Sequence, residues 1–320
     1  MIRSDFAQTS IHFVLLGDEK TASSRVRGLS LIGALRQRGH TVTAASLRAT
    51  ASAPWVFGHG EPPTVLVLQK VFPPTAFTNL LRRRVSVLVL EVDDAVHLGY
   101  PGASKRAAQT LGRRVQHAAA LSDVLTTPSP LLASDLAGGG RTLVFPGPAP
   151  KPQPATSTGG LLWLGSPSTE PNLELLRGCS ELLSDWPGGA RAVGGGQLSE
   201  TVGLTPVRWT SATEREALST STIGVMPLTR TEWNDRKAAY KVLEYLAAGV
   251  APIVSASPSL DALGAVRRFV HVVPEHSDWP DALRRYESLA PKLDWREVQV
   301  ALDGISADSY AEAWESEVYA

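Results

Sequence analysis

The sequence predicts an α/β protein in which two parallel sheets, each covered by helices, follow one another along the chain. Apolar runs of strand length alternate with helix-period segments almost from end to end, a pattern that suits parallel strands joined by helical crossovers. Between Pro146 and Pro154 five prolines alternate with other residues. Proline cannot donate to a helix or a central strand, so this stretch reads as an extended linker. The 320 residues also exceed the common size of one domain. The expected division is a first domain over 1–147, a linker over 148–159 and a second domain over 160–305. A C-terminal helix, about 306–320, is the segment able to return to the first domain.

In the first half, strands are expected at Ile11 to Leu16, Thr41 to Ala45, Thr64 to Leu68, Val85 to Val92, Val124 to Thr127 and Thr142 to Phe145. Ser24 to Arg38 gathers Val26, Leu29, Leu31, Ile32 and Leu35 largely on one side of a helix, and Gly39 supplies a stop. After the linker the alternation restarts with a strand at Gly160 to Leu164, a helix at Asn172 to Asp185 and a strand at Ala190 to Val193. Strands at Val207 to Trp209 and Ile223 to Val225, a helix at Lys237 to Ala248 ending at Gly249, and a strand at Ala251 to Val254 complete the set. Leu293 to Tyr319 reads as helical, with Trp295 and Trp314 as packing anchors. Open parallel sheets of this kind bind ligands at the carboxyl ends of their strands.

Composition narrows the function. Thirty-one Lys and Arg balance 31 Asp and Glu, which argues against a nucleic-acid binder, since such proteins carry a basic excess. The residues AVILMFWYC make up 43% of the chain and the charged ones 19%, enough apolar material for sizeable cores. The lone Cys179 excludes an internal disulfide framework and a cysteine-rich zinc site, and reads as a buried helical thiol. No apolar run reaches membrane-spanning length and Met1 to Asp5 do not open a signal peptide, so a cytoplasmic location is expected.

Two segments carry most of the chemistry. Ile223 to Leu228 leads through Trp233-Asn234-Asp235-Arg236-Lys237 toward Lys241, Glu244 and Tyr245 to Gly249. Cations at a helix opening oppose its dipole, whereas a phosphate bound there reverses the sign. Lys237 and Lys241 would share one helix face, and Glu244 would accept from a sugar hydroxyl or simply pair with Lys241. Trp163-Leu164-Gly165-Ser166-Pro167-Ser168-Thr169-Glu170 ends a strand in a glycine and hydroxyl turn, which suits either phosphate or an ordinary capped turn.

Together these segments resemble the family 4-like glycosyltransferases of the GT-B fold, through Gly165-Ser166-Pro167-Ser168-Thr169, Ile223 to Leu228, Trp233, Lys237, Lys241 and Tyr245-Leu246-Ala247-Ala248-Gly249. The resemblance implies two Rossmann-like domains with parallel sheets facing a central cleft. It also implies a nucleoside diphosphate sugar held mainly by the second domain and an acceptor held mainly by the first. Carried over by position, Gly165, Ser166, Thr169, Arg236, Lys237 and Lys241 would meet the diphosphate, Glu244 the ribose, and Trp209 the base, with a buried structural tryptophan as the alternative for Trp209. Neutralising a leaving diphosphate needs no metal where enough donors converge, so no metal and no cofactor are expected. The chain departs from the family's Glu-x7-Glu pattern: the position eight before Glu244 is Arg236.

In the first half, Ser24 and Arg25 stand where the same branch opens a helix after its first strand, and would face the acceptor. Arg27 adds a second cation to that turn. No GxGxxG stands there, so a nicotinamide dinucleotide site is not expected. Glu91-Val92-Asp93-Asp94-Ala95-Val96-His97 ends an apolar strand. Asp93 and Asp94 are candidates for catalytic or acceptor contact, with loop bracing or Mg2+ binding as alternatives, and His97 is a candidate general base. Lys70 emerges from a neighbouring strand end toward the same edge, and Arg82-Arg83-Arg84 suit a helix C-terminus or an anionic lipid surface. A sugar-nucleotide epimerase and a catalytically degenerate binding module share the architecture and stay open as alternatives. Donor base, sugar, acceptor, stereochemical outcome and oligomeric state are not encoded in these motifs.

Overall fold

In a computed structural model of the chain, the structure describes residues 9–153, 159–288 and 293–320. It divides into two units. The first holds the described residues to Pro148, with Arg236–Ala238 and Ile305–Ala320; the second holds Ala149–Asp235 and Ala239–Gly304.

The first unit is a parallel six-stranded sheet: β1 (Ser10–Leu15), β2 (Thr41–Ser46), β3 (Val65–Gln69), β4 (Val87–Glu91), β5 (Val124–Thr127) and β6 (Arg141–Val144), in the order β2-β1-β3-β4-β5-β6. The register runs Ile11 to Val65, Val65 to Val87 and Val89 to Val124 across its centre. Residues of β3 are buried on both faces, as continuous apolar runs in parallel sheets require. The order reverses between β1 and β3, and that is where such sheets open a crevice at their carboxyl ends. The core is closed by the C-terminal helix Ala307–Val318, whose Tyr310, Ala311, Trp314 and Val318 are buried among the strand residues Ile11, Phe13 and Val67.

The second unit repeats the design with β7 (Leu161–Leu164), β8 (Ala190–Val193), β9 (Thr205–Val207), β10 (Ile223–Met226), β11 (Ala251–Ser255) and β12 (His271–Val273), ordered β12-β11-β10-β7-β8-β9. Its reversal lies between β7 and β10. There Tyr245, wholly buried on the helix Tyr240–Ala247, accepts from the Leu164 N–H at 3.0 Å and donates to the Val225 carbonyl at 3.1 Å. A Cβ at Gly224 would stand 2.5 Å from that ring, so the glycine is what lets the phenol enter.

Expected and observed elements differ where local geometry overrides pattern. The helix expected from Asn172 is a 3-10 stretch, Glu170–Cys179, followed by one short α-helix, Ser180–Ser184. Cys179 is buried there, and burial pushes its thiol up to about 11, an inert state for a thiol. The helix after Ser24 begins as a π-turn, Ser24–Leu29, before Ser30–Gln37. Gly39, at φ +96°, follows its end. The C-terminal segment is two helices, Trp295–Asp303 and Ala307–Val318, because the Ser306 hydroxyl caps the second by accepting from Ser309 N–H. Trp314 is fully buried and Trp295 half-buried.

The helix expected from Lys237 starts at Tyr240. Arg236 and Lys237 therefore lie before it, and Lys237 does not share a helix face with Lys241. Trp209 lies beyond β9 rather than in it. Pro206 sits within that strand at the sheet edge, where proline is tolerated. The linker residue Pro154 lies outside the described residues.

Candidate functional site

At the carboxyl edge of the first sheet, charges are arranged in two layers. In the deeper layer Arg27, 4% exposed, is ion-paired to Glu91, 2% exposed. The guanidinium also donates to the carbonyls of Phe145 and Gly147 and to Tyr310 Oη. Burial disfavours the charge on Arg27, but Tyr310 and Glu91 outweigh it, so the guanidinium pKa stands above its ordinary value. Gln69 continues the network, donating to Glu91 at 3.1 Å and accepting from the Ser24 hydroxyl at 3.0 Å. Ser24 in turn accepts from Gly17 N–H at 3.1 Å. Buried polar groups need such partners, and these residues brace the turn after β1. Ser24 is wholly buried, so its hydroxyl holds the loop; the Arg27 charge is likewise consumed inside the fold.

The outer layer contains Lys70, Asp93, Asp94 and Lys237. Lys70 has φ +54°, a left-handed backbone that non-glycine residues adopt at a cost and that clusters at functional sites. Its N–H donates to the Glu91 carbonyl at 2.8 Å. The ammonium, 8% exposed, lies 2.8 Å from Asp93 Oδ1 and bonds Asp94 Oδ2. Lys237 Nζ stands 3.7 Å from Asp94 Oδ1. Burial would lower the Lys70 pKa, but Asp93 and Asp94 raise it above the ordinary lysine value. Burial pushes Asp94 up, while Lys237 and Lys70 pull it down further, leaving it below the usual carboxylate range. Asp94 is thus a stable anion at neutral pH and a weak proton acceptor.

A third carboxylate, Asp135, on the helix Pro130–Asp135, joins this edge. It accepts from Arg236 Nε and, at 3.1 Å, from Arg236 Nη2, and lies 3.0 Å from His97 Nε2. The Arg236 hydrogen bond chiefly holds its pKa down. Sequence reasoning missed Asp135 because nothing local marks it. Arg25 is half-buried in the π-turn Ser24–Leu29 and donates to the Glu19 carbonyl at 3.4 Å. Among the described residues no group of three or more His, Cys, Asp or Glu is placed to hold a metal ion; Glu91 turns inward to Arg27 while Asp93 and Asp94 turn to Lys70.

In the second unit, the turn after β7 is built by its own hydroxyls. Ser166 N–H donates to Thr169 Oγ1 at 3.0 Å, and the Ser166 and Ser168 hydroxyls meet at 2.9 Å. A Cβ at Gly165 would fall 2.1 Å from the Trp163 ring, so only glycine fits. Two residues then tie this central turn to the loops on either side. Glu170 Oε1 accepts from Gly196 N–H at 2.6 Å, Ser199 N–H at 3.0 Å and the Ser199 hydroxyl at 3.0 Å, reaching the loop after β8. Burial raises the Glu170 pKa, but these donors lower it below the usual range. Asn172 Oδ1 accepts from Thr229 N–H, the Thr229 hydroxyl and Asn234 Nδ2 at 2.8–3.0 Å, reaching the loop after β10.

Lys241 and Glu244 stand on the helix Tyr240–Ala247 and pair at 2.7 Å, Nζ to Oε2. Glu244, 8% exposed, borders a cavity of about 430 Å³ whose wall includes Lys151, Gln153, Glu214 and Arg215. Trp209 donates through Nε1 to Glu214 at 2.6 Å, and Glu214, a carboxylate the sequence reading did not single out, lines the same cavity as Glu244. Of the predicted diphosphate set, Gly165, Ser166 and Thr169 form one turn and Lys241 pairs with Glu244. Arg236 and Lys237 belong to the first unit, held by Asp135 and Asp94.

No family model matches the chain. No curated protein matches it in sequence. Its fold does recur among solved structures. An Anabaena protein, HepE, in complex with UDP aligns with a TM-score of 0.59 at 10% identity, covering 97% of this chain and 99% of that one. The catalytic domain of starch synthase IV from Arabidopsis thaliana, bound to ADP and acarbose, aligns at 0.57 and 10% identity over 98% and 99%. An α-glucosyltransferase in complex with UDP and a 13-mer DNA containing an HMU base aligns at 0.56 and 12% identity over 98% of each chain. With its two six-stranded parallel sheets, the chain has the GT-B fold.

Proposed function

We propose that this protein is a glycosyltransferase that moves a sugar from a nucleoside diphosphate sugar to a small-molecule or saccharide acceptor without a metal ion. One observation carries the reading: at the carboxyl edge of the doubly wound second sheet, beside its reversal between β7 and β10, Glu170 and Asn172 tie the Gly165 to Thr169 turn to the loops on either side, the place where such sheets take nucleotides. The resemblance to family 4-like enzymes in the residues Gly165 to Thr169, Lys241 and Tyr245 to Gly249 and the nucleotides held by neighbours of the same fold support it.

In this reading the Ser166 to Thr169 turn presents backbone N–H groups and hydroxyls to the diphosphate. Lys241 turns from Glu244 to balance the charge that grows on the leaving group, which is electrostatic stabilisation of the transition state. Glu244 accepts from ribose hydroxyls, and Trp209 with Glu214 meets the base. On the acceptor side, the Lys70, Asp93 and Asp94 cluster orients hydroxyls as a fixed ionic surface. His97, held against Asp135 at 3.0 Å, is the general base candidate. Arg236 replaces the first carboxylate of the family's Glu-x7-Glu pattern, so the donor sugar is not gripped at that position as in the wider family.

A thermal-shift panel of UDP, GDP, ADP, CDP and dTDP tests the donor site, because ligand present at about 100 Kd adds about 2.7 kcal/mol of apparent stability. A selective shift with one base is expected; no shift with any of the five would end the proposal. Lys241→Ala is expected to weaken that nucleoside diphosphate about tenfold, about 1.4 kcal/mol, and undiminished affinity in titration calorimetry would remove Lys241 from the site.

A further inference from the structure

The cavity that Glu244 borders holds a second, anchored carboxylate. Glu214 stands in the first turn of the helix Ser211–Thr220, and Leu218, four residues on, shares its face. Both line the space of about 430 Å³, as do Glu244, Ala247 and Ala248 from the second helix. A third wall is the chain at Pro150, Lys151 and Gln153, fixed by the bond from Gln153 N–H to the Ala247 carbonyl at 2.7 Å. The two carboxylates also lie within electrostatic reach of the reversal between β7 and β10. Burial pushes the Tyr245 phenol above its ordinary value, the Leu164 N–H works against this, and the charges of Glu244 and Glu214 add to it. That hydroxyl is the one bonded to Leu164 and Val225.

Glu214 is held in one orientation. The Trp209 indole donates to its Oε2 at 2.6 Å, and the same ring packs against the buried cluster that includes Leu162, Val193 and Tyr245. An ionised carboxylate offers several acceptor positions and no donor, so one indole leaves acceptors for a ligand. Such a group selects among the bases by what their edges present. Guanine alone offers two adjacent donors, N1–H and the 2-amino group. Adenine and cytosine set one amino donor beside a ring-nitrogen acceptor, and uracil and thymine set N3–H between two carbonyls. Each of those four brings an acceptor lone pair against the carboxylate, which is unfavourable where water is excluded. Lys151, Gln153 and Arg215 line the same cavity and supply donors for the guanine O6. Glu216 also borders it but is exposed, whereas Glu214 has the indole to fix it.

We propose that Glu214 selects a guanosine diphosphate sugar as the donor, its carboxylate accepting from N1–H and the 2-amino group of the base. This rests on the glycosyl-transfer reading above, which leaves the base of the donor open. Both bonds are charge-assisted, the stronger class of hydrogen bond. A site built to receive them rejects an analogue that lacks either donor, because the carboxylate is then left short of a partner.

Titration calorimetry of the full chain with GDP, inosine diphosphate, UDP, ADP, CDP and dTDP tests it. GDP is expected to bind about tenfold or more tighter than each of the others. Inosine diphosphate keeps N1–H and O6 and lacks only the 2-amino group, so its deficit reads one charge-assisted bond, about tenfold. That ratio is measured on the wild-type chain and needs no variant. Glu214→Ala should bring the two to about equal affinity. Because Trp209 loses its partner there, thermal midpoints accompany the titration, and Glu214→Gln, which keeps an acceptor for the indole, should stay near the wild-type midpoint while the preference for GDP shrinks. Tighter binding of UDP, ADP, CDP or dTDP than of GDP would overturn guanine selection and leave the nucleotide site standing. Binding of none of the six would end both. Equal affinity for GDP and inosine diphosphate in the wild type, or an unchanged ratio in both variants, would remove Glu214 from the base.

Discussion

Tyr245 shows how one side chain sets the geometry where two central strands of a sheet part. Its hydroxyl satisfies the Leu164 N–H and the Val225 carbonyl, buried backbone groups at the reversal between β7 and β10. Tyr245→Phe keeps the ring and strands both groups, so urea denaturation is expected to show a loss of about 1–3 kcal/mol. Asp94 gives a pH prediction. Its folded pKa lies below the ordinary value because Lys237 and Lys70 outweigh burial. A depressed carboxylate stabilises fully above its unfolded pKa, about 3.9, and that contribution is lost as pH falls through the lower folded value. Urea midpoints should therefore hold from neutrality to about pH 4 and then fall. Asp94→Asn should be less stable than wild type at neutral pH, with a shallower acid limb; an unchanged acid limb would show that the Lys70 cluster does not couple to folding. Sequence identified Lys70, Asp93 and Asp94 as strand-end residues. That they bond one another was invisible, because the pairing joins strand ends distant in sequence.

At the level of elements, the 3-10 stretch after β7 does more than cap a turn. Glu170 bonds the loop after β8 and Asn172 the loop after β10, so one short segment holds three adjacent loops in register at the sheet's carboxyl edge. Such preorganisation is what a site for an extended anion requires. Glu170→Ala is expected to speed amide exchange at Gly196 and Ser199, while Glu170→Gln, which keeps an acceptor oxygen, should stay near wild type; equal protection in both would show that Glu170 does not hold the loop. The Gly165 to Thr169 turn was legible because glycine and hydroxyl residues at the end of an apolar strand are local turn chemistry. The start of the next helix was not. Lys237 fits a helix by pattern, yet it lies before Tyr240, since Arg236 and Lys237 are drawn to Asp135 and Asp94 by charge, and ion pairing over long sequence separation leaves no periodic trace.

Across the whole molecule, the C-terminal segment belongs with the beginning of the chain. Ile305–Ala320 is part of the first unit, and its Tyr310 and Trp314 are fully buried there. Truncation after Gly304 is therefore expected to unfold the first sheet while leaving the second protected in hydrogen exchange, and Trp314→Ala alone should cost about 3–5 kcal/mol. Loss of protection in the second unit instead would refute that assignment. The sequence by itself determined the α/β class, the parallel strands and the glycine and hydroxyl turn, because hydrophobic period and turn chemistry are local properties. It also contained the zero sum of charge and the opposing excesses of its halves. Only the tertiary structure decided which charges are consumed and which remain. Arg27 and Ser24 are spent on Glu91, Gln69 and Gly17, Lys70 and Lys237 on Asp93 and Asp94, and Arg236 on Asp135. Arg106 and Arg113 are left facing outward. The reason is physical: a charge takes its partner from whatever folding brings within a few ångströms, and that neighbourhood is set by strand order rather than by distance along the chain.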